Sequence, residues 1–180
     1  MNPNAISRLH RDHLLKTMKD GAQLLTELSD RSYRSGFPSL EISAIGEHYR
    51  HHLDHIRLFI DGLDERVIDY DQRRRDQDVA RDRVRAIEET SELMDALQQI
   101  PERQLDGELE VLQCSAKGFE RAAVTSTPAR ELLFLNSHAV HHFAIINIAA
   151  GLHGLDVACD IGVAPSTLSY RNEQPGIKPS

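Results

Sequence analysis

The stretch from Thr127 to Leu152 constrains the fold more than any other part of the chain. Thr127-Pro128 is a helix start: the hydroxyl can cap free backbone N–H groups, and the proline ring already holds the φ of a first helical turn. Glu131 follows in that turn, where the helix dipole favours negative charge. From there to Leu152 the side chains are nearly apolar on all sides, so no face of the helix suits water. Such a helix needs neighbours all around it.

The rest of the sequence supplies them as amphipathic helices. Ile6, Leu9, Leu14, Leu15, Met18, Leu25 and Leu28 recur at helical spacing from about Asn4 to Ser32, with Gly21 weakening the middle. Ser35-Gly36-Phe37-Pro38 is a break, and Ser43 is placed to cap a second helix that runs to about Asp61 before Gly62. After the polar stretch Asp64 to Asp76, a third helix has Ala80, Val84, Ile87, Ser91, Met94 and Leu97 along one face, and Pro101 stops it. Leu109 to Cys114 alternates, Lys117-Gly118 offers a turn and Ala122 to Thr125 is partly β-branched, which reads as a hairpin or an irregular crossover. The tail, about 155–180, includes Gly162-Val163-Ala164-Pro165-Ser166 and has no helical period, so an extended segment is expected there. The expected fold is all-α: one domain over 1–180, a four-helix bundle with a short irregular or hairpin segment before the fourth helix.

Composition narrows the function. A chain of 180 residues can bury a full core as one domain, and 40% hydrophobic with 27% charged residues is ordinary for a globular protein. The net charge of −7, with basic residues intermixed with acids as in Asp71-Gln72-Arg73-Arg74-Arg75-Asp76, argues against nucleic acid as a partner. No uncharged apolar run approaches the roughly 20 residues that span a bilayer, and the first residues lack the apolar core of a secretory signal, so the expectation is cytoplasmic with no membrane partner. Cys114 and Cys159 are too few for a disulfide framework or a thiolate zinc site.

Histidine is different. Seven of the ten histidines fall between His48 and His55 or between His138 and His142. His138 and His142 lie four apart, on one face of the apolar helix, where both imidazoles can reach one ion. His48, His51 and His55 follow the i, i+3, i+7 pattern of one face of the second helix. Several imidazoles inside an apolar bundle each cost desolvation free energy, and a shared divalent ion offsets it. His51 lies about 15 Å from the end of its helix and His138 about 16 Å from the start of its own, so an antiparallel pair brings them level. His48 and His55 are then displaced by about one turn, roughly 5 Å, as groups that face the substrate or support the ligands. His52 and His141 point about 100° away and are read as structural or solvated, as are His10, His13 and His153. A di-iron carboxylate site would need Glu-x-x-His, but Arg50 and Phe134 stand three residues after Glu47 and Glu131; a zincin would need Glu where Ala139 stands. Three neutral imidazoles leave open positions on zinc, nickel or iron.

These segments resemble the DinB/YfiT-like superfamily of bacterial four-helix bundles. The resemblance covers most of the chain and is strongest in Ala44-Ile45-Gly46-Glu47-His48-Tyr49-Arg50-His51-His52-Leu53-Asp54-His55 and in Asn136-Ser137-His138-Ala139-Val140-His141-His142-Phe143. Val67-Ile68-Asp69-Tyr70-Asp71 and Gly162 to Leu168 are similar to one uncharacterised branch. The resemblance implies an up-down-down-up topology with a long crossover, for which 64–76 suffices, and a homodimer. It implies metal ligands at His51, His138 and His142. It also implies a metal-dependent enzyme of hydrolase or thiol S-transferase type, acting on a small molecule such as a low-molecular-weight thiol. In that reading the ion lowers the pKa of a bound water or thiol, and His55 or His48 carries the proton. The alternative is a non-catalytic module whose metal only holds the bundle together.

Overall fold

The computed structural model describes residues 3–114, 121–157 and 160–173. Among these, seven helices and three strands alternate in chain order: α1 Pro3–Glu27, α2 Asp30–Arg34, α3 Ile45–Gly62, β1 Val67–Asp69, α4 Gln77–Arg81, α5 Arg83–Gln99, β2 Leu109–Gln113, β3 Ala122–Ser126, α6 Pro128–Leu152 and α7 Pro165–Glu173. The fold is mostly helical, with one small sheet.

Helix α6 packs against α1 and α3, and α5 packs against the same two helices. Leu14, Met18 and Leu25 of α1, Tyr49, Leu53, Ile56 and Phe59 of α3, Leu93 and Leu97 of α5, and Leu132, Leu135, Ala139 and Ile146 of α6 form the buried core between them. Each fully buried large side chain is worth roughly 1.5–3 kcal/mol relative to exposure, so this interior drives the assembly. Thr127 caps α6 as expected, its hydroxyl accepting from Arg130 N at 3.2 Å. In length and composition α6 also matches a membrane-spanning helix. It is not covered on all sides: Leu133, Ile148 and Leu152 are exposed.

Gly21, which weakens α1 as a helix former, has a packing reason. A Cβ there would lie 2.3 Å from Phe143 Cζ, so the missing side chain is what admits the Phe143 ring. Gly46 does the same for α3 and α4, since a Cβ would stand 2.1 Å from the carbonyl oxygen of Ala80.

Five expectations are corrected. The second helix starts after Ala44, with no side-chain cap, instead of under Ser43. The first helix ends at Glu27 instead of running to Ser32, because Ser29 caps a separate short helix, its Oγ accepting from Ser32 N at 3.1 Å. The third helix begins at Arg83 under an Asp82 cap that accepts from Val84 N and Arg85 N; Ala80 belongs to α4. Its buried face is also rotated: Ala86, Glu89, Thr90, Leu93 and Leu97 are inside, whereas Val84 and Ser91 are exposed. Two polar residues cause the misreading. Arg57 donates to the Glu89 carboxylate, while Thr90 bonds Tyr49 Oη at 3.0 Å and donates to Ala86 O at 2.7 Å, so both are buried with partners. Finally, the tail is not wholly extended, since Pro165–Glu173 is helical. None of its residues is buried, which removes the apolar period that would have revealed it.

The hairpin reading of 109–126 matches the structure: β2 and β3 pair antiparallel, Leu109 opposite Ser126. The turn read at Lys117-Gly118, and Cys159, lie outside the described residues. The stretch 64–76 contains β1, which pairs parallel with β2 at Val67 opposite Glu110. Three residues are too few for a strand pattern to be visible in sequence. The pairing matters for the site, because Tyr70 follows β1 directly and its N–H donates to Leu112 O at 3.2 Å.

Candidate metal centre

Ring contacts between α3 and α6 run in opposite directions along the two helices: His48 meets His142, His51 meets both His138 and His142, and His55 meets His138 and Phe134. The helices are therefore antiparallel here, and His51 and His138 are level. Their Nε2 atoms are 3.3 Å apart, and His142 Nε2 is 3.1 Å from His138 Nε2. Tetrahedral ligands at Zn–N distances of 2.0–2.1 Å sit about 3.3 Å from one another, so this spacing fits a shared ion. Hydrogen bonding alone satisfies it poorly. Each imidazole nitrogen offers one in-plane position, either a lone pair or an N–H, and His138 Nε2 cannot serve both neighbours with it.

His55 lies closer to this group than one turn of displacement suggested. Ligand nitrogens of His51, His55 and His138 all fall within 4.8 Å of one another, and the His55 ring centroid is 4.1 Å from that of His138. His55 Nδ1 donates to the backbone carbonyl of His51 at 2.9 Å, which fixes the tautomer and leaves the Nε2 lone pair free. His48 stands at the other end, its Nδ1 3.3 Å from His142 Nδ1. Among the described residues this cluster of candidate ligands holds only imidazoles, with no carboxylate or thiolate.

Burial sets the protonation. His55 and His142 are buried, and His51 and His138 are partly exposed, so the group opens to solvent on one side. Desolvation, reinforced by the neighbouring imidazoles, pushes His138 down to about 2, His51 to about 3 and His142 to about 4. Burial lowers His48 and His55 as well. The rings are therefore neutral at neutral pH, each with one nitrogen lone pair, the charge state a metal ligand requires.

Three side chains that sequence reasoning did not assign to the site surround it. Tyr70 stacks on His55 with centroids 5.4 Å apart, and Phe134 stacks on His138 at 5.7 Å. Tyr70 Oη donates to Glu131 Oε2 at 3.0 Å; the fully buried Glu131 also accepts from Ser126 Oγ and from Arg130. Glu131 thus anchors the aromatic wall of the site, beyond its expected role at the helix dipole. Arg73, from the segment between β1 and α4, places Nη1 2.8 Å from His51 Nδ1. Only the Tyr70 segment carried a signal in the sequence; Arg73 sat in a charge run that reads as a solvated surface.

The remaining histidines separate as follows. His52 is 1% exposed, in edge contact with Tyr49 and Phe143, and neither ring nitrogen has a partner among the described residues. His141 is exposed. His153 Nε2 lies 3.1 Å from Ser35 O, with its ring 4.6 Å from that of Phe37, a structural role.

No family model matches the chain, and no solved structure matches it. A curated protein, FK506-binding protein 5 from Rhizopus delemar, is 32% identical over 110 residues, which are 60% of this chain and 28% of that protein. The chain therefore spans less than a third of the length of the relative it matches.

Proposed function

We propose that this chain is a divalent-metal-dependent enzyme of the DinB-like superfamily, folded as an up-down-down-up four-helix bundle, with His51, His138 and His142 as the metal ligands. The carrying observation is the position of His138 Nε2, 3.3 Å from His51 Nε2 and 3.1 Å from His142 Nε2, between neutral rings on two helices. A zinc, nickel or iron ion held by His51, His138 and His142 would supply Lewis acidity that lowers the pKa of a water or thiol. The protein's own residues do the rest. Phe134 and Tyr70 exclude water from one side of the site, and their contacts hold the rings of His138 and His55. His55, its Nδ1–H committed to His51 O, offers Nε2 as the acceptor for the nucleophile's proton. His48 steadies His142 through the Nδ1 contact and is the second candidate for that transfer. This arrangement suits hydrolysis, or thiol transfer from a low-molecular-weight thiol, in a cytoplasmic homodimer.

Replacing His138 with Ala tests the ligand assignment, since it removes the nitrogen common to both short contacts. Elemental analysis of untagged protein should show stoichiometric metal in the wild type and loss of it in the variant; full occupancy in the variant would sink the assignment. A second reading has its own observation. His55 lies within ligand distance of His51 and His138, and a fourth imidazole would close the coordination shell and leave a structural, non-catalytic ion. Melting with and without chelator, set beside a thiol-transfer assay against electrophiles, separates the two. A structural ion carries a large share of the folding free energy and no turnover.

A further inference from the structure

We infer that Arg73 is an anion-recognising residue at the rim of the histidine centre, and that the substrate carries a carboxylate beside the group that meets the ion. This rests on the metal-site reading above and names the substrate class for it.

Several arginines of this region are paired with acids. Arg50 meets Asp54 at 3.2 Å, Arg74 meets Asp61 at 3.4 Å, and Arg57 and Arg121 contact Glu89 and Asp69. Arg73 has no acid within ion-pair distance among the described residues, the Asp54 carboxylate feeling its charge only at longer range; it directs Nη1 at the imidazole of His51, and its Nε, like that of Arg50, is buried with no partner among the described residues. A guanidinium does not lose its proton in a protein, so a full positive charge stands against a neutral ring with one donor unmet. The candidate ligands are also all neutral and leave the charge of a divalent ion uncompensated. Two cationic centres on either side of one imidazole call for an anion between or beside them.

The hydrogen bond itself points the same way. A guanidinium can only donate, so His51 Nδ1 accepts, and the ring proton sits on Nε2, the atom that faces His138. For His51 to give its Nε2 lone pair to an ion, the proton must sit on Nδ1, where it would meet the Arg73 donor head-on. Arg73 therefore leaves His51 when the ion binds. Its freed donors form a fork that matches a carboxylate in a bidentate pair. A substrate carboxylate that draws Arg73 away favours ion binding, and ion binding releases Arg73 for the carboxylate, so the two events assist each other.

The test uses metal-stripped full-length protein titrated with Co2+, and then with thioglycolate or 2-mercaptoethanol, followed by the visible spectrum. The two probes share a thiol and differ in the carboxylate. Any chelating advantage of thioglycolate cancels when its preference over 2-mercaptoethanol is compared between proteins. Arg73→Met should bind Co2+ alone at least as tightly as wild type, and should lose the preference for thioglycolate by ten-fold or more. Arg73→Lys, which keeps the charge without the fork, should fall between, and it carries the comparison if the Met variant folds poorly. An unchanged preference in Arg73→Met with intact Co2+ binding overturns the inference. Failure of wild type to bind Co2+ overturns instead the metal reading on which it rests.

Discussion

Replacing His52 with Phe should stabilise the protein, and the size of the gain follows from the surroundings of the ring. His52 is 1% exposed, both ring nitrogens lack a partner among the described residues, and the ring meets Tyr49 and Phe143 at centroid distances of 6.4 and 5.3 Å. A buried donor or acceptor left unmet costs roughly 1–3 kcal/mol, and a phenyl ring removes two of them while keeping the aromatic contacts. The slightly larger ring gives back about 1 kcal/mol or more in overpacking. The expected net gain near neutral pH is roughly 1–3 kcal/mol, or about 2–9 °C in Tm for a domain of this size. A second readout is pH. Burial holds His52 down at about 3 in the folded protein, against 6.5 for a free imidazole. A depressed folded pKa means that stability is complete above about pH 6.5 and is lost as pH falls toward 3, because the unfolded chain takes up the proton first. At about pH 4.5 this amounts to roughly 3 kcal/mol, all of which the Phe variant escapes. The advantage of His52→Phe over wild type, measured by urea unfolding, should therefore widen by that amount between about pH 7.5 and 4.5. Metal content should not change, because the ring contacts of His52 are with Tyr49 and Phe143 and not with a proposed ligand. A destabilised variant, or an advantage independent of pH, would refute the claim that this ring is buried and unsatisfied.

The same physics gives three further expectations. Tyr33 is fully buried with Oη donating to Val79 O at 2.7 Å, and burial raises its pKa far above the usual phenol value. Its stabilising share is present below about pH 10 and lost as pH rises beyond, so Tyr33→Phe should cost roughly 1–3 kcal/mol at neutral pH and shrink the alkaline loss of stability seen by circular dichroism. Gly46→Ala should cost about 3 kcal/mol or more in chemical denaturation, since its Cβ meets the Ala80 carbonyl oxygen at 2.1 Å and backbone cannot yield cheaply; a cost under about 1 kcal/mol would show that α3 and α4 do not pack this closely. Because His51, His138 and His142 are held at about 3, 2 and 4, they meet an ion already neutral. Calorimetry in two buffers at about pH 6 should then find almost no proton released on metal binding, whereas three ordinary imidazoles would release about two.

Much of the architecture was determined by the sequence alone. The all-round apolarity of the segment after Thr127-Pro128, the periodic leucines of the first helix and the histidines spaced three and four apart on two helices are local patterns, and local patterns are legible because side-chain spacing and backbone period are properties of neighbouring residues. Distances from the helix ends of about 15 and 16 Å, at the helical rise per residue, placed His51 level with His138. What only the tertiary structure decided depends on partners far away in the chain. Glu89 and Thr90 look like surface residues until Arg57 and Tyr49 are seen beside them, so the buried face of α5 was misread. Three residues of β1 become a strand only when β2 offers a parallel edge. Arg73 belongs to a charge run that is ordinary in sequence and becomes part of the site only when the segment after β1 brings it against His51. Helix α6 behaves likewise: its start and length are set by Thr127 to Leu152, whereas the partners that bury Glu131, Ser126 and Tyr70 among them, come from elements that only folding brings together.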